Sequence, residues 1–85
     1  MVNPMEDIKQ TVKAYILKEF LPGENPAELV DSTPLITGGI LDSIATLKLV
    51  TFVEEKYGLT LQAHEVDVEH LNTISDISRL IQSKL

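Results

Sequence analysis

Residues 22–41 contain Pro22, Gly23, Pro26, Pro34, Gly38 and Gly39, and they separate two stretches with helical periodicity. Proline lacks the backbone donor a helix needs and clashes with the preceding turn, and glycine gives up the most chain entropy on ordering, so this segment cannot be one long helix. Only Pro26-Ala-Glu-Leu-Val suits a single short turn. The rest reads as a loop, and an ordered loop of about twenty residues in a small domain is usually functional. Leu29, Val30, Leu35 and Ile36 are the residues expected to tie it to a core.

The chain has 85 residues, enough for one core, so residues 1–85 are read as a single domain. Residues 5–21 place Met5, Ile8, Val12, Tyr15, Ile16 and Phe20 at helical spacing, after Asn3-Pro4 and before Pro22-Gly23. A second helix over 42–57 begins at Asp42, a favoured N-cap, and ends at Tyr57-Gly58. Its inward stripe is Thr46, Leu49, Val50, Val53 and Tyr57. Ile44, Leu47 and Phe52 cannot all share that stripe, which leaves apolar surface exposed near the start of this helix. Leu59-Thr60-Leu61 is an extended link, and residues 63–70 allow at best two helical turns. Thr73-Ile-Ser-Asp76 has the spacing of a capping box, and Ile74, Ile77, Leu80 and Ile81 form the buried face of a last helix over 73–84. No strand pairing or repeat is evident. The class is all-α, with three main helices and a short one around an aliphatic core.

Thirteen acidic residues against seven basic ones give a formal charge of -6, which opposes binding to nucleic acids and to anionic membranes. From Glu19 to Leu47 there are five acids and no lysine or arginine. Such a region either steers a basic partner or serves as a solvated face. The absence of cysteine excludes disulfides, thiolate metal sites and a thiol nucleophile within the chain. The start Met-Val-Asn-Pro-Met-Glu-Asp has no basic n-region followed by an apolar run, and no stretch reaches the roughly 18 apolar residues of a membrane span. The expectation is a cytoplasmic, monomeric protein, and a chain running from an initiating Met1 to Leu85 points to a free-standing one.

The informative segment is Gly38-Gly39-Ile40-Leu41-Asp42-Ser43-Ile44, in which a glycine-rich loop delivers Ser43 to the first turn of a helix. Free backbone N–H groups and the positive end of the helix dipole would stabilise a phosphate ester there. Asp42 could cap the helix, hold a divalent ion or orient the hydroxyl. Asp-Ser before an apolar-periodic run is usually just a helix cap, and residue physics alone favours that plain reading over a functional one.

Gly39-Ile40-Leu41-Asp42-Ser43-Ile44, then Leu49-Val50, Glu54-Glu55-Lys56-Tyr57-Gly58 and Leu71-Asn72-Thr73-Ile74-Ser75-Asp76-Ile77, resembles the acyl and peptidyl carrier proteins over essentially the whole chain. The resemblance implies a four-helix carrier bundle with a long first loop, and a carrier rather than an enzyme. It implies 4′-phosphopantetheine on Ser43, transferred from coenzyme A by a phosphopantetheinyl transferase. The arm's thiol would hold an acyl or aminoacyl group as a thioester between an adenylating loading enzyme and a downstream synthase or transferase. Leu41, Ile44 and Leu47 would be apolar anchors beside the arm, Asp42, Glu54 and Glu55 would offer charge to basic enzyme patches, and Val66 and Val68 would complete the surface. Core packing is the competing role for Leu47, Val66 and Val68. Ala45 and Lys48 stand where fatty-acid carriers tend to have acids, which favours a specialised-metabolite or aminoacyl pathway over housekeeping fatty-acid synthesis.

His64 and His70 have no metal-ligand spacing, so no metal site is expected. No Gly-x-Ser-x-Gly elbow, Walker loop or calcium loop occurs. The alternative to a carrier is an unmodified acidic helical module that binds a basic partner.

Overall fold

A computed structural model describes residues 4–85. It contains four α-helices and two 3-10 turns, and no strand among the described residues. Helix α1 spans Pro4–Phe20, α2 Ser43–Tyr57, α3 Val68–Leu71 and α4 Ile74–Lys84. The all-α expectation, with three main helices and a short third, is borne out. Asn3, expected just ahead of the first helix, lies outside the described residues.

Each main helix contributes a narrow aliphatic stripe to one core. Ile8, Val12 and Ile16 come from α1, Leu49, Val50 and Val53 from α2, and Ile74, Ile77, Leu80 and Ile81 from α4. Burying such a side chain is worth roughly 1.5–3 kcal/mol relative to leaving it in water, so these stripes are the main source of stability. Helix α4 packs most extensively against α1. The first loop supplies Leu29, Leu35 and Leu41 to the same core, and Leu61 and Leu71 close its other side.

The caps agree with the residue chemistry. The Asp42 carboxylate accepts a hydrogen bond from the Ala45 amide at 2.7 Å, and Gly58 ends α2 in the left-handed region at φ 64°, ψ 39°, where a Cβ would be strained. Thr73 Oγ1 accepts from the Asp76 amide at 3.0 Å to start α4. The return half of that capping box is replaced by a different contact, because the Asp76 carboxylate accepts from Arg79 instead. The short turn expected near residue 26 is a 3-10 turn at Pro26–Glu28, with Asn25 accepting from the Ala27 amide.

Three expectations are corrected. Val30 does not tie the loop inward; the chain turns back there, with the Thr33 amide donating to the Val30 carbonyl, and the side chain is 51% exposed. On α2 it is Ala45 that is buried, while Thr46 is half-buried and donates its hydroxyl to the Asp42 carbonyl at 2.7 Å. Position 45 therefore faces the core, and the lack of an acid there says nothing about the surface. Residues 63–70 are not one short helix but a 3-10 turn at Ala63–Glu65 followed by the single turn of α3. The break falls at Asp67, held in an extended conformation so that its carboxylate caps the His70 amide at 3.0 Å.

Candidate functional site at the start of helix 2

The site is built by the segment from Leu35 to Asp42. Leu35 is fully buried, and its carbonyl accepts from the amides of both Ile40 (2.9 Å) and Leu41 (2.8 Å), which folds the glycine-rich segment into a tight arch. Gly38 is required for a steric reason, since a Cβ at that position would overlap the Pro34 carbonyl oxygen. The arch is clamped from outside by Asn72, between α3 and α4. Its carbonyl accepts from the Leu35 amide at 2.6 Å, and its side-chain Oδ1 accepts from the amides of Ile36 (2.9 Å) and Thr37 (3.0 Å). Farther back, the Asp31 carbonyl accepts from the Ser75 amide at 3.1 Å, and the Asp31 carboxylate pairs with Lys9 at 3.1 Å. That pairing pushes the Lys9 ammonium above its ordinary value, chiefly through the hydrogen bond from Lys9 to Asp31. Asn72, Asp31 and Lys9 were not legible as site supports. They lie far from Ser43 in the chain and carry no local pattern.

The outcome of this bracing is an exposed Ser43 as the first residue of α2, its hydroxyl without a hydrogen-bond partner among the described residues. The amides of Ser43 and Ile44 precede the first intrahelical bond, since the amide of Ala45 is taken by the Asp42 side chain and that of Thr46 by the Asp42 carbonyl. Two backbone donors and the positive end of a helix of 15 residues are thereby presented beside the hydroxyl.

A groove of about 570 Å³ opens next to Ser43, between the first turns of α2 and the segment leading into α3. Its walls are Ile36, Leu41, Thr46, Leu47, Val66 and Val68, and Asp42 and Asp67 are the carboxylates at its rim. Leu47 is 60% and Val68 45% exposed, so core packing is not their role, whereas Val66 is half-buried against the core and still forms part of the wall. Ile44 is 67% exposed on the adjoining face. Two of the residues expected to face a partner are placed differently. Leu41 is 2% exposed, because it anchors the arch to the core, and only its edge reaches the groove. Glu54 is half-buried and accepts from the Leu61 amide at 2.9 Å, which pins the link after α2; Glu55 alone of that pair is exposed.

Asp67 and His70 meet at 2.7 Å between carboxylate and Nδ1. The hydrogen bond between them lowers the Asp67 pKa and raises that of His70, with Glu65 and Glu69 adding to the upward push on the imidazole. His64 is exposed, and no group of metal-ligating side chains occurs among the described residues. Nor is any described helix long and apolar enough to cross a membrane.

No protein-family model matches this chain. It is similar to two curated proteins named D-alanyl carrier protein, from Streptococcus suis (strain 98HAH33) and Streptococcus suis (strain 05ZYH33). Each is 31% identical over 71 residues, which is 84% of this chain and 86% of the relative.

Proposed function

Because this chain belongs to the acyl and peptidyl carrier protein family, we propose that it carries an aminoacyl group on a 4′-phosphopantetheine arm attached to Ser43. It is a carrier and not an enzyme. The observation that supports this reading best is the exposed, unpartnered Ser43 hydroxyl at the start of α2, beside an open groove.

The residues fit such a group. A phosphodiester at Ser43 would lie against the free amides of the first turn and the positive end of the helix, where negative charge is stabilised by about 0.3–1 kcal/mol. Ser43 supplies the hydroxyl nucleophile, and a separate phosphopantetheinyl transferase supplies the base and Mg²⁺. Asp42 holds the first turn through its 2.7 Å cap on the Ala45 amide, which fixes the backbone from which the Ser43 side chain projects. When attached, the arm supplies the terminal thiol that a chain without cysteine lacks, and with it a thioester. Leu47, Val66 and Val68 offer an apolar wall along which the arm can lie or an enzyme can dock. Ile44 and Glu55 extend that docking face along α2.

The partners are a phosphopantetheinyl transferase, an adenylating enzyme that loads the amino acid and a transferase that removes it, working in the cytoplasm where coenzyme A is available. The names of the two relatives make D-alanine the first cargo to test. Intact mass after incubation with coenzyme A and a broad-specificity phosphopantetheinyl transferase should rise by one phosphopantetheine on the wild type and not at all on Ser43→Ala. No gain on the folded wild type, or an equal gain on Ser43→Ala, overturns the proposal. Subsequent loading with D-alanine over L-alanine by an adenylating ligase would establish the cargo.

A further inference from the structure

A second face of the molecule has the opposite electrostatic character to the chain as a whole. The chain has seven basic side chains and a net charge of -6. Lys9, Arg79 and Lys84 are each paired with a carboxylate. Lys13, Lys18, Lys48 and Lys56 have no ion-pair partner among the described residues. Lys48 borders one opening between α1 and α2, Lys18 and Lys56 border a second, and the two openings share Tyr15 and Phe52 to make one trough. Its floor is aromatic: Tyr15 and Phe52 line both openings and stack with ring centroids 4.0 Å apart at 12°, and Phe20, behind them, meets Tyr15 edge-on at 5.7 Å. Tyr15 donates its hydroxyl to the Lys48 carbonyl at 3.2 Å, which fixes the two helices to each other at this point. Openings of about 430 and 520 Å³ lie on either side of the Tyr15–Phe52 pair.

We propose that this trough docks an acidic amphipathic helix of a partner protein. A rigid, half-buried aromatic floor is the kind of surface that anchors an apolar helical stripe with little entropy to lose. Three unpaired ammonium groups at the rim complement carboxylates on the flanks of such a helix, against only two glutamates, Glu19 and Glu55. A helix with its side chains is about 10–12 Å across, narrow enough to engage one face of a molecule of 34 × 31 × 20 Å. An extended anionic membrane would also meet the rest of a molecule of charge -6 and be repelled by it. This surface adjoins the groove at Ser43, sharing Leu47 with it and Ile44 and Glu55 with the docking face along α2, while its aromatic floor and lysines lie outside that groove, and the proposal holds with or without an arm on Ser43.

The test uses the unmodified full chain, labelled with ¹⁵N. It is titrated with a synthetic helical peptide carrying leucine at positions i, i+3, i+4 and i+7 and glutamate on its flanks. Amide shifts should change around Tyr15, Lys18, Lys48, Phe52 and Lys56, and affinity should fall on the order of tenfold as salt rises from about 0.05 M to about 0.5 M. The double variant Lys48→Glu, Lys56→Glu should lose at least about tenfold in affinity while its circular dichroism, melting and mass gain at Ser43 stay as in the wild type. Four outcomes overturn the proposal: no shift changes, shifts confined to the Val66–Val68 groove, equal binding of a control peptide with lysine in place of the flanking glutamates, or concentration-dependent self-association through these residues. Response of the same amides to phosphatidylglycerol vesicles but not to the peptide would also overturn it, in favour of a lipid surface.

Discussion

At the scale of single residues, the chain mixes side chains whose roles are local with others set by distant contacts. Asp42 and Thr73 act within one turn, each accepting from an amide three residues on. Ser78 is different. It is 0% exposed on α4, and its hydroxyl has no hydrogen-bond partner among the described residues. A hydroxyl taken out of water without compensation is a net cost, and alanine has the better helix propensity. Ser78→Ala should therefore raise stability by about 1 kcal/mol, read as a higher denaturant midpoint at unchanged slope. A lower midpoint would mean that Ser78 has a partner in solution, such as a buried water.

At the scale of elements, α3 is the least self-sufficient helix, a single turn whose order depends on its cap and on Leu71 in the core. Its cap is shared, because the Asp67 carboxylate accepts from both the His70 amide and the His70 ring. The raised His70 pKa means that this contribution is full below the ordinary histidine value of 6.5 and is lost as pH rises through the higher folded value. The lowered Asp67 pKa sets the other limit: its contribution is present above 3.8 and is lost as pH falls through the lower folded value. Amide exchange at Leu71, corrected for its intrinsic pH dependence, should speed up relative to α4 as pH rises from about 6 to about 8. His70→Gln should abolish that dependence. Val66 and Val68 flank this cap in the wall of the Ser43 groove, so the same titration reaches the site's edge.

At the scale of the molecule, the long first loop is held by contacts to α1, to Asn72 between α3 and α4 and to the start of α4, in addition to its own turn bonds. Asn72 accepts two loop amides through its side chain and a third through its carbonyl, while Asp31 bridges Lys9 and Ser75. Truncating the Asn72 side chain would leave the amides of Ile36 and Thr37 without their acceptor. Asn72→Ala should cost about 1–3 kcal/mol and speed amide exchange at Ile36 and Thr37. It should also slow modification of Ser43, because the arch that presents the serine is no longer clamped. Unchanged exchange at those two amides would refute the clamp.

The amino-acid sequence by itself determined the three main helices, the caps at Asp42, Gly58 and Thr73, and the place of Ser43 at the start of α2. These follow from local rules: apolar residues at helical spacing, a carboxylate or hydroxyl one residue ahead of a helix, and glycine at a left-handed end. The exposed apolar surface near the start of α2 was legible for the same reason, since Ile44, Leu47 and Phe52 could not all fit one inward stripe. Tertiary structure decided the rest. Which of two neighbours, Ala45 or Thr46, faces inward depends on how α2 is rotated against the core, because adjacent residues sit about 100° apart around the helix axis. Leu41 and Glu54 were drawn away from the surface by partners at Leu35 and Leu61, contacts that no short-range spacing encodes. The clamp from Asn72 and the aromatic trough between Tyr15 and Phe52 join positions 30 or more residues apart in the chain. They exist only once the core has brought the helices together.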